Sequence, residues 1–170
     1  MGDPKKQRKK FSKPGHPWQA DRIAAEKDIV KQYGLKRKNE VWKADSMLQK
    51  FLHRAKTIIG ERNEQSDLEK KQLLDRLSSL GLLKKDSKIE DVLNLKLKDF
   101  LDRRLQTLVY RKQLAKTVMQ AREFIVHEHV SVAGRKITTP SYLVSVSEES
   151  QIKLLREMLA DPIKAEKKSE

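Results

Sequence analysis

The stretch AREFIVHEHVSVAGRK, residues 121–136, changes its hydrophobic rhythm midway, and that change decides the fold. From Val118 through Ala121 to Ile125 the apolar residues return at three and four positions, the spacing of a helix. Val130, Val132 and, past Gly134, Ile137 follow the spacing of strand and turn. A helix running straight into a hairpin is expected. Gly134 permits the tight turn, although Ala133 beside it is a poor residue for a position of positive φ. Arg122, His127, His129, Arg135 and Lys136 are spread over both parts, so one negatively charged partner is expected to lie across helix and hairpin together.

Just upstream, Thr117 and Gln120 make a capping box that should start this helix at about Val118, with Lys116 before it. Free N–H groups at a helix start, together with the macrodipole, suit a phosphate. Further back, LKDFLDRRLQTLVYRK, residues 97–112, predicts a helix near 98–110. Leu101, Leu105 and Leu108 fall on one face and Arg103, Arg104 and Lys112 away from it. Leu101, Leu105, Leu108, Val118, Ala121 and Ile125 should form the seam between the two helices. Downstream, Tyr142, Val144 and Val146 alternate as one more strand after TTPS. QIKLLREMLA, residues 151–160, has helical periodicity but also suits a strand end followed by a tail.

The first half reads as mainly helical. Pro17 suits the first turn of a helix carrying Ile23, Ala24, Ile29 and Val30, and Gly34 suits its end. After YGLKRKN, apolar positions from Val41 to Ile59 keep helix spacing until Gly60. Ser66 with Glu69 is a capping box for a third helix that stops at Gly81, and Ser87 with Glu90 repeats the signal before the short turn IEDVLNL. Trp18 and Trp42 are read as core anchors in preference to base-stacking platforms. The predicted organisation is a basic extension (1–16), a helical region (17–100), a small module of two helices and a short antiparallel sheet (101–150) and a C-terminal helix or tail (151–170). The class is α+β.

Charge narrows the partner. The 170 residues hold 38 lysines and arginines against 24 acids, a net charge of +14, so nucleic acid leads and an anionic membrane surface comes second. No apolar run approaches the roughly 20 residues that span a bilayer, and the first residues lack the apolar core of a signal peptide, so a cytoplasmic location is expected. Cysteine is absent, which excludes thiolate zinc sites and disulfides. His127 and His129 are too few ligands for a metal, and none is expected. No phosphate-cradling glycine loop, nucleophile elbow or H-E-x-x-H occurs, so neither catalysis nor a cofactor is expected. Residues 1–16, with Lys5, Lys6, Arg8, Lys9 and Lys10 among their basic side chains, are read as a tail that threads between RNA helices.

Several unusual strings occur in order: HPW (16–18), YGLKRKNEVWK (33–43), LGLL (80–83), FLDRRLQTLVYRK (100–112), AREFIVHEHVSVAGRKITTPSYLV (121–144) and EE (148–149). Together they resemble the archaeal and eukaryotic branch of small-subunit ribosomal protein S four over nearly the whole chain. The AR followed by H-x-H-V and a glycine turn marks the RNA-binding module named after that protein, which certain enzymes also carry. The resemblance implies a binder of ribosomal RNA in the 5′ domain that acts early in subunit assembly. It also implies a place near the entrance for messenger RNA and contacts with neighbouring ribosomal proteins. It assigns the RNA-facing surface to Arg103 and Arg104 in the first helix of the module, Lys112 and Lys116 in the loop, Gln120, Arg122 and His127 in the second helix, and His129, Arg135 and Lys136 at the hairpin. From the residues alone, Arg103 and Arg104 also suit a solvated face, and Arg122 an ion pair with Asp102 or Glu123. Gln113 and Glu128 depart from the family in standing where it often has glycine. A biogenesis factor of the same family, binding a precursor or guide RNA, is the alternative.

Overall fold

A computed structural model describes residues 9–155 apart from residues 62 and 85; Lys5, Lys6 and Arg8 lie outside the described residues. The helical region holds α1 (Ala20–Gln32), α2 (Lys38–Gly60), α3 (Glu64–Ser79), the single turn α4 (Ile89–Val92) and α5 (Leu97–Asp102). The module holds α6 (Leu105–Arg111), α7 (Val118–Val126), β1 (Val130–Val132), β2 (Arg135–Lys136), the short α8 (Val146–Glu149) and β3 (Ile152–Leu154). Among the described residues there is one antiparallel sheet, in the order β2-β1-β3. The class is α+β, as expected.

The 23-residue α2 is the axis of the helical region. It buries Val41, Ala44, Leu48, Ala55 and Ile58 along one stripe. The far end of that stripe meets Leu73 and Leu77 of α3 and Ile89 and Val92 of α4 in one core. Its near end meets Tyr33, Leu35, Phe100 and Leu101 in a second. The module has a third core of its own, built on Leu105, Leu108 and Val109 of α6, Ala121, Phe124 and Ile125 of α7, and Val130, Val132, Val144 and Ile152.

Several local expectations change. Helix α1 begins at Ala20, three residues after Pro17. At α3 the cap is Asn63, and Ser66 lies inside the first turn, where its hydroxyl accepts the Asn63 N–H at 3.1 Å. Glu69 has no part in it. Similarly α4 follows Lys88, whose N–H donates to the Asp91 carboxylate at 2.8 Å, so the acid that closes the turn is Asp91 and Glu90 is not. The Thr117 cap holds: its side chain accepts the Gln120 N–H at 3.1 Å, and α7 starts at Val118.

The helix expected near 98–110 is two helices. Arg104 between them is extended (φ −72°, ψ 142°) and bridges to Leu143. The Leu105 N–H donates to the Tyr142 carbonyl at 2.8 Å and the Val144 N–H to the Arg103 carbonyl at 3.1 Å. Backbone groups at the break thus find partners in the returning chain, and the Thr107 hydroxyl satisfies the Leu101 carbonyl at 2.9 Å. Residues 142–146 are therefore no strand of the sheet. Val144 is fully buried, as its alternation required, but it lies against the helix break, and exposed Val146 opens α8 behind its Ser145 cap. The sheet takes its third strand from Ile152–Leu154, a stretch whose spacing also suits a helix, with Val130 opposite Leu154 and Val132 opposite Ile152. In the expected seam, Leu105, Leu108, Ala121 and Ile125 share the module core, whereas Leu101 belongs to the neighbouring one.

Three residues other than glycine have positive φ: Gln113 (58°), Glu128 (62°) and Ala133 (49°). The first two are the positions at which the family resemblance implies glycine. The third, with Gly134 at 77°, makes the hairpin turn.

Candidate nucleic-acid interface

One place where the helical region meets the module is a polar joint. Glu40, on the first turn of α2, receives Arg104 at 2.7 Å and Arg122 at 3.1 Å. Burial alone pushes the Glu40 carboxyl up, but the two guanidinium hydrogen bonds outweigh it and hold the group below the usual carboxylate range. Next to this, the fully buried Gln106 donates from its amide to the carbonyls of Gly34 and Val118, both at 3.0 Å. Gly34 has φ +57°, and a Cβ there would stand 2.9 Å from Val118 Cγ1, so the bare backbone lets the two regions touch. The glycine that ends α1 is also where α7 docks.

Beside this joint opens a groove of about 1150 Å³. It is lined by Lys10, Lys36, Arg37, Lys43, Lys50, Arg76, Arg104 and Arg122 against a single carboxylate, Glu40, which is already bound to two of those cations. Lys36, Arg37, Lys43 and Lys50 are exposed. Met47, Phe51, Phe100, Pro140, Tyr142 and Leu143 contribute an apolar part of the lining. A basic trough with aromatic and aliphatic walls can hold a phosphate backbone and shelter the faces of its sugars and bases.

The residues singled out in the sequence divide into groups. Arg104, Arg122 and Lys10 line the groove; Lys9 is exposed near its rim residue Lys10 in sequence. Arg104 is buried at 5% exposure and so belongs to no solvated face, and the partner of Arg122 is Glu40 in place of Asp102 or Glu123. Arg103 pairs with Glu149 at 2.7 Å, donates to the Val144 carbonyl at 3.1 Å and lies over Gly81. Lys112 donates to the Glu149 carbonyl. Both thus reach α8 and lie off the groove. Gln120 caps α7 by accepting the Lys116 N–H at 2.7 Å. His127 and His129 have ring centroids 6.4 Å apart, and Phe124 meets His129 edge-on. Lys116, His127, Arg135 and Lys136 are exposed on the module, and Lys136 lies 3.7 Å from Glu128 in an exposed pair.

Sequence reasoning missed Lys36, Arg37, Lys43, Lys50 and Arg76. The basic cluster in YGLKRKN was the signal for Lys36 and Arg37, and it reads as an ordinary polar loop until the fold sets it beside the module; Lys43, Lys50 and Arg76 read as scattered surface cations. The tryptophans also separate. Trp42 is half-buried and its indole N–H donates to Glu26 at 3.0 Å, whereas Trp18 is no core anchor at all, being 90% exposed.

Residues 103–150, from the helix break to the end of α8, match the S4 domain family. Over 152 residues, 89% of the chain and 86% of the relative, it is 47% identical to small ribosomal subunit protein uS4 of Hyperthermus butylicus. The chain belongs to the uS4 family. A uS4 of Saccharolobus islandicus is 45% identical over 153 residues, covering 89% of this chain and 84% of that one. These matches run through the helical region as well as the module, so both walls of the groove belong to the uS4 part of the chain. No helix of the described residues is long and apolar enough to cross a membrane.

Proposed function

We propose that this uS4-family protein is a non-catalytic structural constituent of the small ribosomal subunit, in the cytoplasm, and that it holds ribosomal RNA in the groove between its helical region and its S4 module. The observation that carries the reading is the lining of that groove, eight cations to one carboxylate, in a chain of net charge +14. In this reading Lys36, Arg37, Lys43 and Lys50 take the phosphates, and Arg104 and Arg122 form a floor whose geometry Glu40 fixes. Exposed Lys116, His127, Arg135 and Lys136 extend the contact over the module, with Lys9, Lys10 and the preceding basic residues reaching outward. Gln120 and His129 support that face, and Arg103 and Lys112 fasten α8. On the strength of the family resemblance we further propose a target in the 5′ domain, a binding step early in assembly, and a position beside the entrance for messenger RNA and next to other small-subunit proteins.

A direct test compares two quadruple replacements of equal charge. Changing Lys36, Arg37, Lys43 and Lys50 to Gln should weaken binding to a 5′-domain fragment of small-subunit ribosomal RNA. It should also lower the salt slope by about one for each lost phosphate contact. Changing Lys56, Lys71, Lys84 and Lys98, all exposed and none lining the groove, should change both far less. Equal losses would leave only long-range attraction. Sedimentation with mature small subunits separates a subunit constituent from a biogenesis factor, which would remain with precursor particles.

A further inference from the structure

Trp18 is the side chain that the joint, the cores and the groove leave unused. It is 90% exposed, yet the chain around it is fastened at three points. Phe11 packs on Trp42 with ring centroids 5.9 Å apart, and the Ser12 N–H donates to the Ser46 hydroxyl at 3.2 Å. The Arg22 guanidinium donates to the carbonyls of His16 and Pro17 at 3.0 and 2.9 Å. Arg22 is itself held by Glu26, the buried carboxylate that also accepts the Trp42 indole N–H and faces Lys38. Burial pushes the Glu26 carboxyl up, but the bonds from Trp42 and Arg22 bring it below the usual range, so it stays an anion able to hold that clamp. A partly buried ion pair thus pins the two carbonyls immediately before an indole that stands almost wholly in solvent.

We propose that Trp18 is a stacking platform for an unpaired RNA base, an inference that rests on the RNA-binding reading and extends it to a second contact away from the groove. Charge favours RNA over a protein partner: Lys9, Lys10 and Lys13 precede the indole, and no carboxylate occurs between residue 9 and Asp21. A protein-docking face needs a contiguous apolar patch, whereas among the described residues before Met47 no other large apolar side chain is exposed. An isolated indole amid lysines is the pattern of single-strand binding, where a basic track follows the backbone and an aromatic ring takes a base. One RNA strand can reach both sites, because Lys10 lines the groove and lies only eight residues from Trp18, at most about 28 Å of extended chain.

The test uses the full chain and the 5′-domain ribosomal RNA fragment, with Trp18→Ala and Trp18→Phe. Both variants should keep the far-ultraviolet circular dichroism and melting temperature of the parent. Trp18→Ala should weaken binding about 5- to 150-fold, the range for loss of one base–aromatic stack. Trp18→Phe should recover most of that loss, and the salt slope should stay unchanged because no phosphate contact is removed. In the parent, RNA should shield from acrylamide the part of the tryptophan emission that Trp18→Phe removes. Unchanged affinity of Trp18→Ala, with that emission still open to acrylamide on RNA, would overturn the proposal and leave the indole to a protein neighbour. A lowered salt slope would also overturn it, by showing that the substitution had displaced the lysines. Failure of the parent to bind RNA would instead refute the general reading.

Discussion

The core of the S4 module and the joint beside it are held by different physics. In the module, Leu105, Val109, Ala121, Ile125 and Val130 interlock within one apolar cluster, supplied by a stretch of some fifty residues. The joint brings together residues 64 and 82 positions apart in sequence, Glu40 with Arg104 and Arg122, through a carboxylate shared by two guanidiniums. Apolar packing is non-directional and tolerates repacking, whereas a buried charge left alone is penalised heavily. The module is therefore robust and local, and the joint is angularly defined but conditional on its charges. That suits a groove whose width depends on how the two regions are set.

Breaking the module should have the largest effect. Leu105 is fully buried between α6 and α7, so Leu105→Ala should cost about 2–5 kcal/mol, read as a lowered denaturant midpoint. In a small domain this is a large share of the total stability. An unchanged midpoint would mean that the seam lies elsewhere.

Breaking the joint should cost less and act differently. Glu40→Ala leaves Arg104, 5% exposed, without its partner. Loss is expected at roughly 2–4 kcal/mol, below the figure for a fully buried pair because Glu40 and Arg122 keep partial contact with water. Hydrogen exchange should show α7 and β1 still protected while amides at the start of α2 open, and RNA affinity should fall although a negative charge has been removed. The same carboxylate gives a pH dependence. Its folded pKa is lowered, so its contribution is fully present above the ordinary value of 4.5 and is lost as pH falls from there through the lower folded value. Glu40→Gln should flatten that part of the acid-unfolding curve, leaving the share that Glu26 and Glu148, also lowered, contribute.

The smallest effect sharpens the comparison within the module. Glu128 occupies φ 62°, which costs a side-chain-bearing residue about 1–2 kcal/mol, against about 0.5–1 kcal/mol of extra unfolded-state freedom that glycine brings. Its pair with Lys136 is exposed and adds little. Glu128→Gly should raise the melting temperature slightly and leave the joint untouched; a drop would show that the turn after α7 relies on the side chain.

How much was legible follows the same division. The change of period at residues 126–130 was visible because the apolar residues on either side of it, Phe124, Ile125, Val130 and Val132, are buried together in the module's own core. So was the Thr117 cap, which involves only local groups. The helix break at Arg103–Arg104 was not, since the leucine spacing runs through it and each side of the break feeds a different core. Neither was the partner of Arg104, since no local pattern ties it to a glutamate 64 residues earlier.

By itself the sequence determined the α+β class, the helix–hairpin module, the order of the helices and the polyanion partner, since periodicity, caps and net charge are properties of short windows or of the whole composition. Only the tertiary structure decided that two helices replace one before α7, that residues 152–154 close the sheet, that Trp18 stays in solvent while Trp42 is packed, and that Lys36, Arg37, Lys43 and Lys50 share a groove with Arg104 and Arg122. Each of these depends on a hydrogen bond, ion pair or burial between segments far apart in the chain, and such energies exist only once the fold has brought the segments together.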